Sequence, residues 1–170
     1  GKIMVGFPQS RMIACAKMGM HFTACTTKKY FPDAELVKLC EEYAEVSGGS
    51  VTLTEDVMEG TKGADVIYTD VWVSMGEPDE IWEERIRELT PYKVTADVMK
   101  NAGEQSIFLH CLPAFHDLKT QIGREMGERF RLEDMEVTDE VFESVQSKVF
   151  DEAENRMHTI KAVMLATLGE

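Results

Sequence analysis

The sequence contains no apolar run that approaches the roughly 20 residues a membrane-spanning helix needs. Its first residues also lack the pattern of a signal peptide. Basic residues are scarce: the chain has 18 Lys and Arg residues and 31 Asp and Glu residues, which gives a net charge of -13. This excess of negative charge disfavours nucleic acid or an anionic membrane surface as the main partner. We therefore expect no nucleic acid and no membrane as partners, and a small cationic or zwitterionic ligand instead.

Closely spaced cysteine pairs are missing as well. The four cysteines, Cys15, Cys25, Cys40 and Cys111, form no CxxC motif and have no His at zinc-finger spacing. The 11 Met residues are scattered, without a Met-x-Met-x-Met run, which is typical of core packing. Reduced thiols in a cytoplasmic protein that has no metal site are the simplest interpretation.

What the chain does contain is a regular alternation of strands and helices. With 170 residues, 44% of them hydrophobic, it is long enough for one domain with a sizeable core. Apolar runs and turn residues predict strands at 2–5, 22–26, 51–54, 64–69 and 107–112. Helical spacing and capping residues predict helices at 10–20, after Asp33, after Asp56, from a cap at Asp79 to Leu89, and after Thr95. The predicted fold class is α/β: a doubly wound, Rossmann-like parallel sheet with helices on both faces.

The last third of the chain has a different pattern. A polar helix is predicted at 118–129, followed by the acidic segment EDMEVTDEVFES and a long closing helix from about Asp151. Apolar residues on this helix occupy more than one side, so it needs more than one packing partner. We predict an α/β domain over 1–150 and a separate C-terminal helix over 151–170.

The stretch FLHCLPAFHD, at 108–117, marks the end of the last predicted strand. Pro113 cannot donate to a sheet ladder, so the strand should stop before it. His110, Cys111 and Leu112 would then lie at the carboxyl edge of the sheet, where ligands bind in open parallel sheets. A buried Cys can also be a simple core residue. This stretch alone leaves both interpretations open.

A second strand end carries TDVWVSMGEP, at 69–78. Asp70 could bind a cationic amine there, and Ser74 with the backbone at Met75 could hold another polar group. The glycine that follows gives this loop the freedom to close over a ligand. Asp70 could equally be a helix cap or a surface carboxylate.

Together with AENRMHTIKAVM, at 153–164, these two stretches resemble the ornithine carbamoyltransferases. In that family an Asp-x-x-x-Ser-Met-Gly loop, a His-Cys-Leu-Pro strand end and a Glu-Asn-Arg near the start of the last helix occur in this order. The resemblance runs from about Ser10 to the end of the chain. It implies two α/β domains, an N-terminal one for carbamoyl phosphate and a C-terminal one for ornithine, with the active site between them. The chain resembles only the second domain.

On the ornithine side, the resemblance assigns Asp70 and Ser74 to the α-amino group and Met75 to the loop that closes over the substrate. It places Cys111 beside the reacting δ-amine. An amine attacks a carbonyl only when deprotonated, and its pKa in water is about 10, so the site must take up a proton. A carboxylate and a thiol nearby can serve in this.

On the carbamoyl phosphate side, the resemblance assigns the backbone of His110, Cys111 and Leu112 to the carbamoyl group. Arg156 would reach its oxygen or the phosphate, because developing negative charge needs a fixed cation. The resemblance also implies a homotrimeric enzyme that uses no metal and no organic cofactor.

The sequence departs from the family in two places. It has no Ser-Thr-Arg-Thr phosphate loop, which belongs to the other domain, so no carbamoyl phosphate site is complete within the chain. It also has no Asn before Ser10, where the family binds the ornithine carboxylate, and Gln9 could replace that Asn only in part.

Two alternatives to carbamoyl transfer to ornithine remain. One is a carbamoyltransferase for another amine, such as putrescine, and the other is a non-catalytic amino-acid-binding domain. The Ser-Met-Gly loop argues against putrescine, which has no α-amino group for Asp70 and Ser74.

Overall fold

A computed structural model describes residues 2–5, 9–73 and 77–169. Within them, five strands form one sheet in the order β3-β2-β1-β4-β5, and all paired strands are parallel. The strands are β1 (Lys2–Val5), β2 (His21–Cys25), β3 (Ser50–Thr54), β4 (Val66–Thr69) and β5 (Ile107–His110). The predicted parallel α/β fold is confirmed.

Eight α-helices connect or follow these strands in the described residues. They are α1 (Gln9–Lys17), α2 (Ala34–Ser47), α3 (Val57–Thr61), α4 (Asp79–Leu89), α5 (Ala96–Ala102), α6 (Gln121–Phe130), α7 (Asp139–Phe142) and α8 (Val149–Leu168). The predicted caps at Asp33, Asp56 and Thr95 accept backbone N–H groups from the first turns of α2, α3 and α5.

The sheet is covered on both faces, as the sequence predicted. Neighbouring residues of one strand point to opposite sides, so Ile67 enters one hydrophobic cluster and Tyr68 the other. The Tyr68 cluster contains α1 and α2, whereas the Ile67 cluster contains α3, α5, α7 and the first residue of α8. A smaller cluster around Trp72 packs α4 near the loop that follows β4.

Most predicted boundaries are shifted by one to three residues, and three of the differences concern β5, α4 and α8. Strand β5 ends at His110 rather than at Leu112, because the Leu112 N–H donates back to the His110 carbonyl at 3.0 Å and turns the chain away from the sheet. Asp79 is not the cap of α4 but its first residue, and Pro78 holds the cap position. The closing helix begins at Val149, two residues earlier than predicted.

Helix α8 is attached to the sheet at one end. Before it, Phe108 N donates to Gln146 O and Lys148 N donates to Phe108 O, both at 2.9 Å, so 146–148 lines the outer edge of β5. Val149 is 1% exposed, but from residue 153 onward the helix is exposed. Burial of α8 on this domain is therefore limited to its first turn. The exposed apolar side chains include Met157, Ile160, Val163, Met164, Leu165 and Leu168.

No helix in the described part of the chain is both long enough and apolar enough to cross a membrane.

Candidate functional site

The candidate site lies where the strand order of the sheet reverses. β1 pairs with β2 on one side and with β4 on the other, so the crossover connections leave β1 and β4 in opposite directions. In parallel sheets, the carboxyl ends of such strands border the ligand crevice. Asp70 directly follows β4, Cys111 directly follows β5, and Arg11 lies in the first turn of α1.

Asp70 and Cys111 are in direct contact at this edge. The Cys111 thiol donates a hydrogen bond to Asp70 Oδ1 at 2.6 Å, and the Val71 N–H donates to the same oxygen at 2.8 Å. Burial, the hydrogen bond to Asp70 and the charge of Asp70 raise the pKa of the Cys111 thiol to about 11. The thiol is therefore neutral at neutral pH and acts as a donor that orients the carboxylate.

Arg11 approaches the other oxygen of the same carboxylate. Its Nη1 lies 3.6 Å from Asp70 Oδ2, and its Nη2 donates to the Tyr68 hydroxyl at 2.8 Å. The guanidinium also stacks on the Tyr68 ring, 3.8 Å from the ring centroid. Burial acts to lower the pKa of Arg11, but Tyr68 and Asp70 outweigh it and the pKa is raised. Arg11 thus places a permanent positive charge beside Asp70.

Tyr68 connects this group to the closing helix. Its hydroxyl donates to Glu152 Oε1, in the first turn of α8, at 2.6 Å. Burial, followed by this hydrogen bond, raises the pKa of Tyr68, so the phenol stays neutral. Five side chains thus form one continuous series from α8 across the sheet edge: Glu152, Tyr68, Arg11, Asp70 and Cys111.

Two adjoining clefts open beside this series. The larger, of about 750 Å³, is lined by Ser10, Arg11, Tyr68, His110, Cys111, Leu112, Glu152, Ala153, Asn155, Arg156 and Thr159. The smaller, of about 510 Å³, is lined by Gln9, Ser10, Arg11, Tyr30, Phe31, Pro32 and Asp70. Ser10 and Arg11 border both clefts. The larger cleft therefore brings the strand end at His110–Leu112 together with Arg156, which is exposed on α8.

The predicted residues Ser74 and Met75 lie outside the described residues. Arg11, Tyr68 and Glu152 were not predicted. One sequence signal did point to Arg11: a basic residue in the first turn of a helix opposes the helix dipole, so it is unfavourable unless it has another partner.

One known protein family matches most of this chain. The family model described as "Aspartate/ornithine carbamoyltransferase, Asp/Orn binding domain" matches residues 7–167. The chain belongs to this family. The resemblance inferred from the three motifs is therefore confirmed at the level of the Asp/Orn binding domain.

Individual relatives of this Asp/Orn binding domain are close in sequence and structure. The chain is 65% identical over 159 residues to the catabolic ornithine carbamoyltransferase of Treponema denticola, covering 94% of the chain and 47% of that protein. It is 58% identical over 160 residues to the catabolic ornithine carbamoyltransferase 1 of Staphylococcus epidermidis, covering 94% of the chain and 48% of that protein. The ornithine carbamoyltransferase structure from Pyrococcus furiosus matches with a TM-score of 0.81 at 39% identity, covering 96% of this chain and 48% of the other. The chain thus spans about half the length of the relatives it matches.

The imidazole of His110 contacts a different set of groups from the thiol of Cys111. His110 is 1% exposed, and its Nε2 lies 3.1 Å from Oε1 of Glu136, which is also 1% exposed. The Phe115 N–H donates to the same Glu136 oxygen at 2.7 Å. In this Asp/Orn binding domain the His110 side chain therefore anchors the loop after β5, while the Cys111 thiol donates to Asp70 beside the larger cleft. Glu136 was not predicted as part of this region.

A cluster that could hold a metal ion lies among the residues after the Pro113 turn. His116, Asp117 and Asp139 each place one potential ligand atom within 4.8 Å of the others. Lys119 Nζ lies 3.0 Å from Asp117 and 3.7 Å from Asp139, and so already supplies a cation to both carboxylates. None of these residues lines the two clefts, and the cluster gives no reason to place a metal in the site of this domain.

Proposed function

We propose that the chain is the ornithine-binding half of an ornithine carbamoyltransferase. The complete enzyme would transfer a carbamoyl group from carbamoyl phosphate to the δ-amine of ornithine, which gives citrulline and phosphate. The observation that carries the proposal is the contact between Asp70 and Cys111 at the sheet edge, beside the cleft that Arg156 lines. The names of the close relatives support the same reaction.

Asp70 is the proposed site for the α-ammonium group of ornithine. Its carboxylate is partly exposed, with 22% side-chain accessibility, and it already lies against a cationic group. A substrate ammonium can take the place of that cation at little cost in desolvation, because Asp70 is charge-paired in both states. Ser74 and Met75, in the loop that follows, are proposed to complete this end of the site.

Cys111 is the proposed neighbour of the δ-amine. With a thiol pKa of about 11, Cys111 is not a thiolate nucleophile at neutral pH. A neutral thiol held by Asp70 can instead interact with the amine without adding a second negative charge, so the deprotonated amine needed for attack is not disfavoured further.

Arg156 and the backbone of His110, Cys111 and Leu112 are the proposed contacts for carbamoyl phosphate. Arg156 lines the same cleft as this strand end, and its guanidinium can bind a phosphate or a developing oxyanion with two hydrogen bonds. The remaining phosphate contacts would come from an N-terminal carbamoyl phosphate domain.

We propose that α8 forms the junction with that domain, with 1–150 as the ornithine-binding unit and 151–170 as the returning helix. The exposed apolar residues of α8 support this, since burial of each is worth on the order of 1.5–3 kcal/mol. The complete enzyme is proposed to be a cytoplasmic homotrimer that requires no metal or organic cofactor.

Citrulline formation tests the proposal. The complete polypeptide that contains this sequence should make citrulline from ornithine and carbamoyl phosphate in the presence of a chelator, and the 170-residue chain alone should not. Turnover by the isolated chain would contradict the proposed division of the site. Faster carbamoylation of putrescine than of ornithine by the complete enzyme would contradict the proposed substrate.

A further inference from the structure

We propose that Arg11 binds the α-carboxylate of the amino-acid substrate, in a binding step during which its ion pair with Asp70 opens. This inference rests on the proposed function, since it assigns the second charged group of the same substrate. Three observations carry it: the place of Arg11 between the clefts, its alignment with Asp70, and the support it receives from Tyr68.

Arg11 lies at the border between the two clefts. It lies in the first turn of α1, at the sheet edge where the strand order reverses, and borders both clefts. The lysines on the nearby 3₁₀ turn at 28–30 are directed elsewhere. Lys28 pairs with Glu55 at 3.7 Å, and Lys29 pairs with Glu84 at 2.6 Å and Glu88 at 3.2 Å.

The contact between Arg11 and Asp70 is an ion pair that a substrate could enter. Nη1 and Oδ2 are 3.6 Å apart, which is beyond the usual hydrogen-bond distance of about 2.7–3.2 Å. An α-amino acid carries an ammonium and a carboxylate on neighbouring atoms of one carbon. A carboxylate and a guanidinium side by side are the complement of that zwitterion. One internal ion pair would be replaced by two ion pairs with the substrate, and no charge would be left unpaired.

Tyr68 holds the Arg11 guanidinium in place independently of Asp70. The hydrogen bond from Nη2 to the Tyr68 hydroxyl, at 2.8 Å, and the stacking at 3.8 Å both remain when the contact with Asp70 opens. A pre-positioned planar guanidinium suits bidentate recognition of a carboxylate. The Arg11 side chain is 29% exposed, so the bound carboxylate would be partly screened from water. The first turn of α1 also favours an anion through its backbone N–H groups.

The experiment compares substrates with and without the carboxylate charge in the complete enzyme. Rates of carbamoylation are measured with L-ornithine and with L-ornithinamide, which keeps both amines, in the wild type and in R11M and R11K. Lys28→Met is the matched control, because it removes an exposed cation outside both clefts. A charged hydrogen bond is worth enough that R11M should lower kcat/KM for ornithine by about 10- to 100-fold. For L-ornithinamide, R11M should lower kcat/KM by less than about threefold. R11K should have a kcat/KM for ornithine between those of R11M and the wild type, and K28M should have the same kcat/KM as the wild type.

Equal losses with both substrates in R11M would overturn the proposal, and so would unchanged kinetics. Tighter ornithine binding by R11M would also overturn it, because Arg11 would then be a competitor for Asp70. A second measurement needs no variant: L-norvaline should bind the wild type at least about tenfold more tightly than 1-butylamine, its decarboxylated form. Equal affinity for these two ligands would contradict the role of Arg11. Absence of citrulline from the wild type would contradict the proposed function instead, and the role of Arg11 would then be decided by norvaline binding, which should be at least about tenfold weaker in R11M than in the wild type.

Discussion

The reactivity of Cys111 is a direct test of its contact with Asp70. The ordinary pKa of a cysteine thiol is taken as 9.0, and burial together with Asp70 raises the pKa of Cys111 to about 11. At pH 8 the thiolate fraction is therefore about one in a thousand rather than about one in ten. A more basic thiolate is a better nucleophile by roughly 0.4–0.5 logarithmic units per pKa unit, which recovers somewhat less than tenfold. The expected alkylation rate of Cys111 at pH 8 is then about tenfold lower than that of an ordinary exposed thiol.

The assay is alkylation by iodoacetamide between pH 7 and 10, with the modified peptide identified by mass spectrometry. Cys15, Cys25 and Cys40 are at most 6% exposed, so they should react more slowly than Cys111 in the folded chain. The Cys111 rate should rise about tenfold per pH unit across this range without levelling off. A plateau below pH 9 would refute the raised pKa.

Two variants separate the causes of this shift. Asp70→Asn removes a negative charge next to the thiol, so the pKa of Cys111 should fall and alkylation at pH 8 should become faster. Glu55→Gln is the matched control, because it removes an exposed carboxylate that pairs with Lys28. An Asp70→Asn rate that equals the control rate would show that burial alone sets the pKa.

Three further predictions concern Glu136, helix α8 and the binding role of Asp70. Glu136→Ala should lower the free energy of unfolding in urea by about 2–5 kcal/mol, because the buried carboxylate makes two hydrogen bonds, and Glu136→Gln should cost less. Equal stability of Glu136→Ala and the wild type would contradict this. In a monomeric sample of the chain, amides at 155–168 should exchange faster than those of the strand at 107–110, since the helix is exposed there. Equal protection would show that α8 needs no second domain. In the complete enzyme, Asp70→Asn should lower ornithine affinity and turnover by about tenfold or more, and unchanged kinetics would exclude its role in binding the ammonium group.

The sequence predicted those parts of the fold and site that depend on local pattern. Alternating strands and helices were enough for the parallel sheet, because each element carries its own periodicity and caps. Asp70 and Cys111 were predicted to share one edge, since both directly follow strands that run in the same direction. Their direct hydrogen bond joins residues 41 positions apart. This hydrogen bond forms only because β4 and β5 are adjacent in the sheet, and the sequence pattern of strands does not specify the order of strands in the sheet.

The residues that were missed depend on long-range packing. Arg11 contacts Tyr68 across 57 positions, Tyr68 contacts Glu152 across 84, and His110 contacts Glu136 across 26. None of these pairs has a spacing that periodicity can detect. The packing partners of α8 are beyond sequence prediction for a related reason, because an apolar helix face indicates that a partner is needed but not which one.

The single attachment of α8 gives the helix the properties of a lever. Its 20 residues extend for about 30 Å, and the buried contact lies at Val149. A rotation of about 10° around that end moves the far end by about 5 Å over such a length. Glu152, which holds Tyr68 and through it Arg11, is less than one helical turn from the pivot. A domain that binds the far end of α8 therefore fixes the angle of the helix at Val149. A displacement of several ångströms at the far end then moves Glu152, and the Tyr68 and Arg11 side chains that it holds, by only a fraction of that distance.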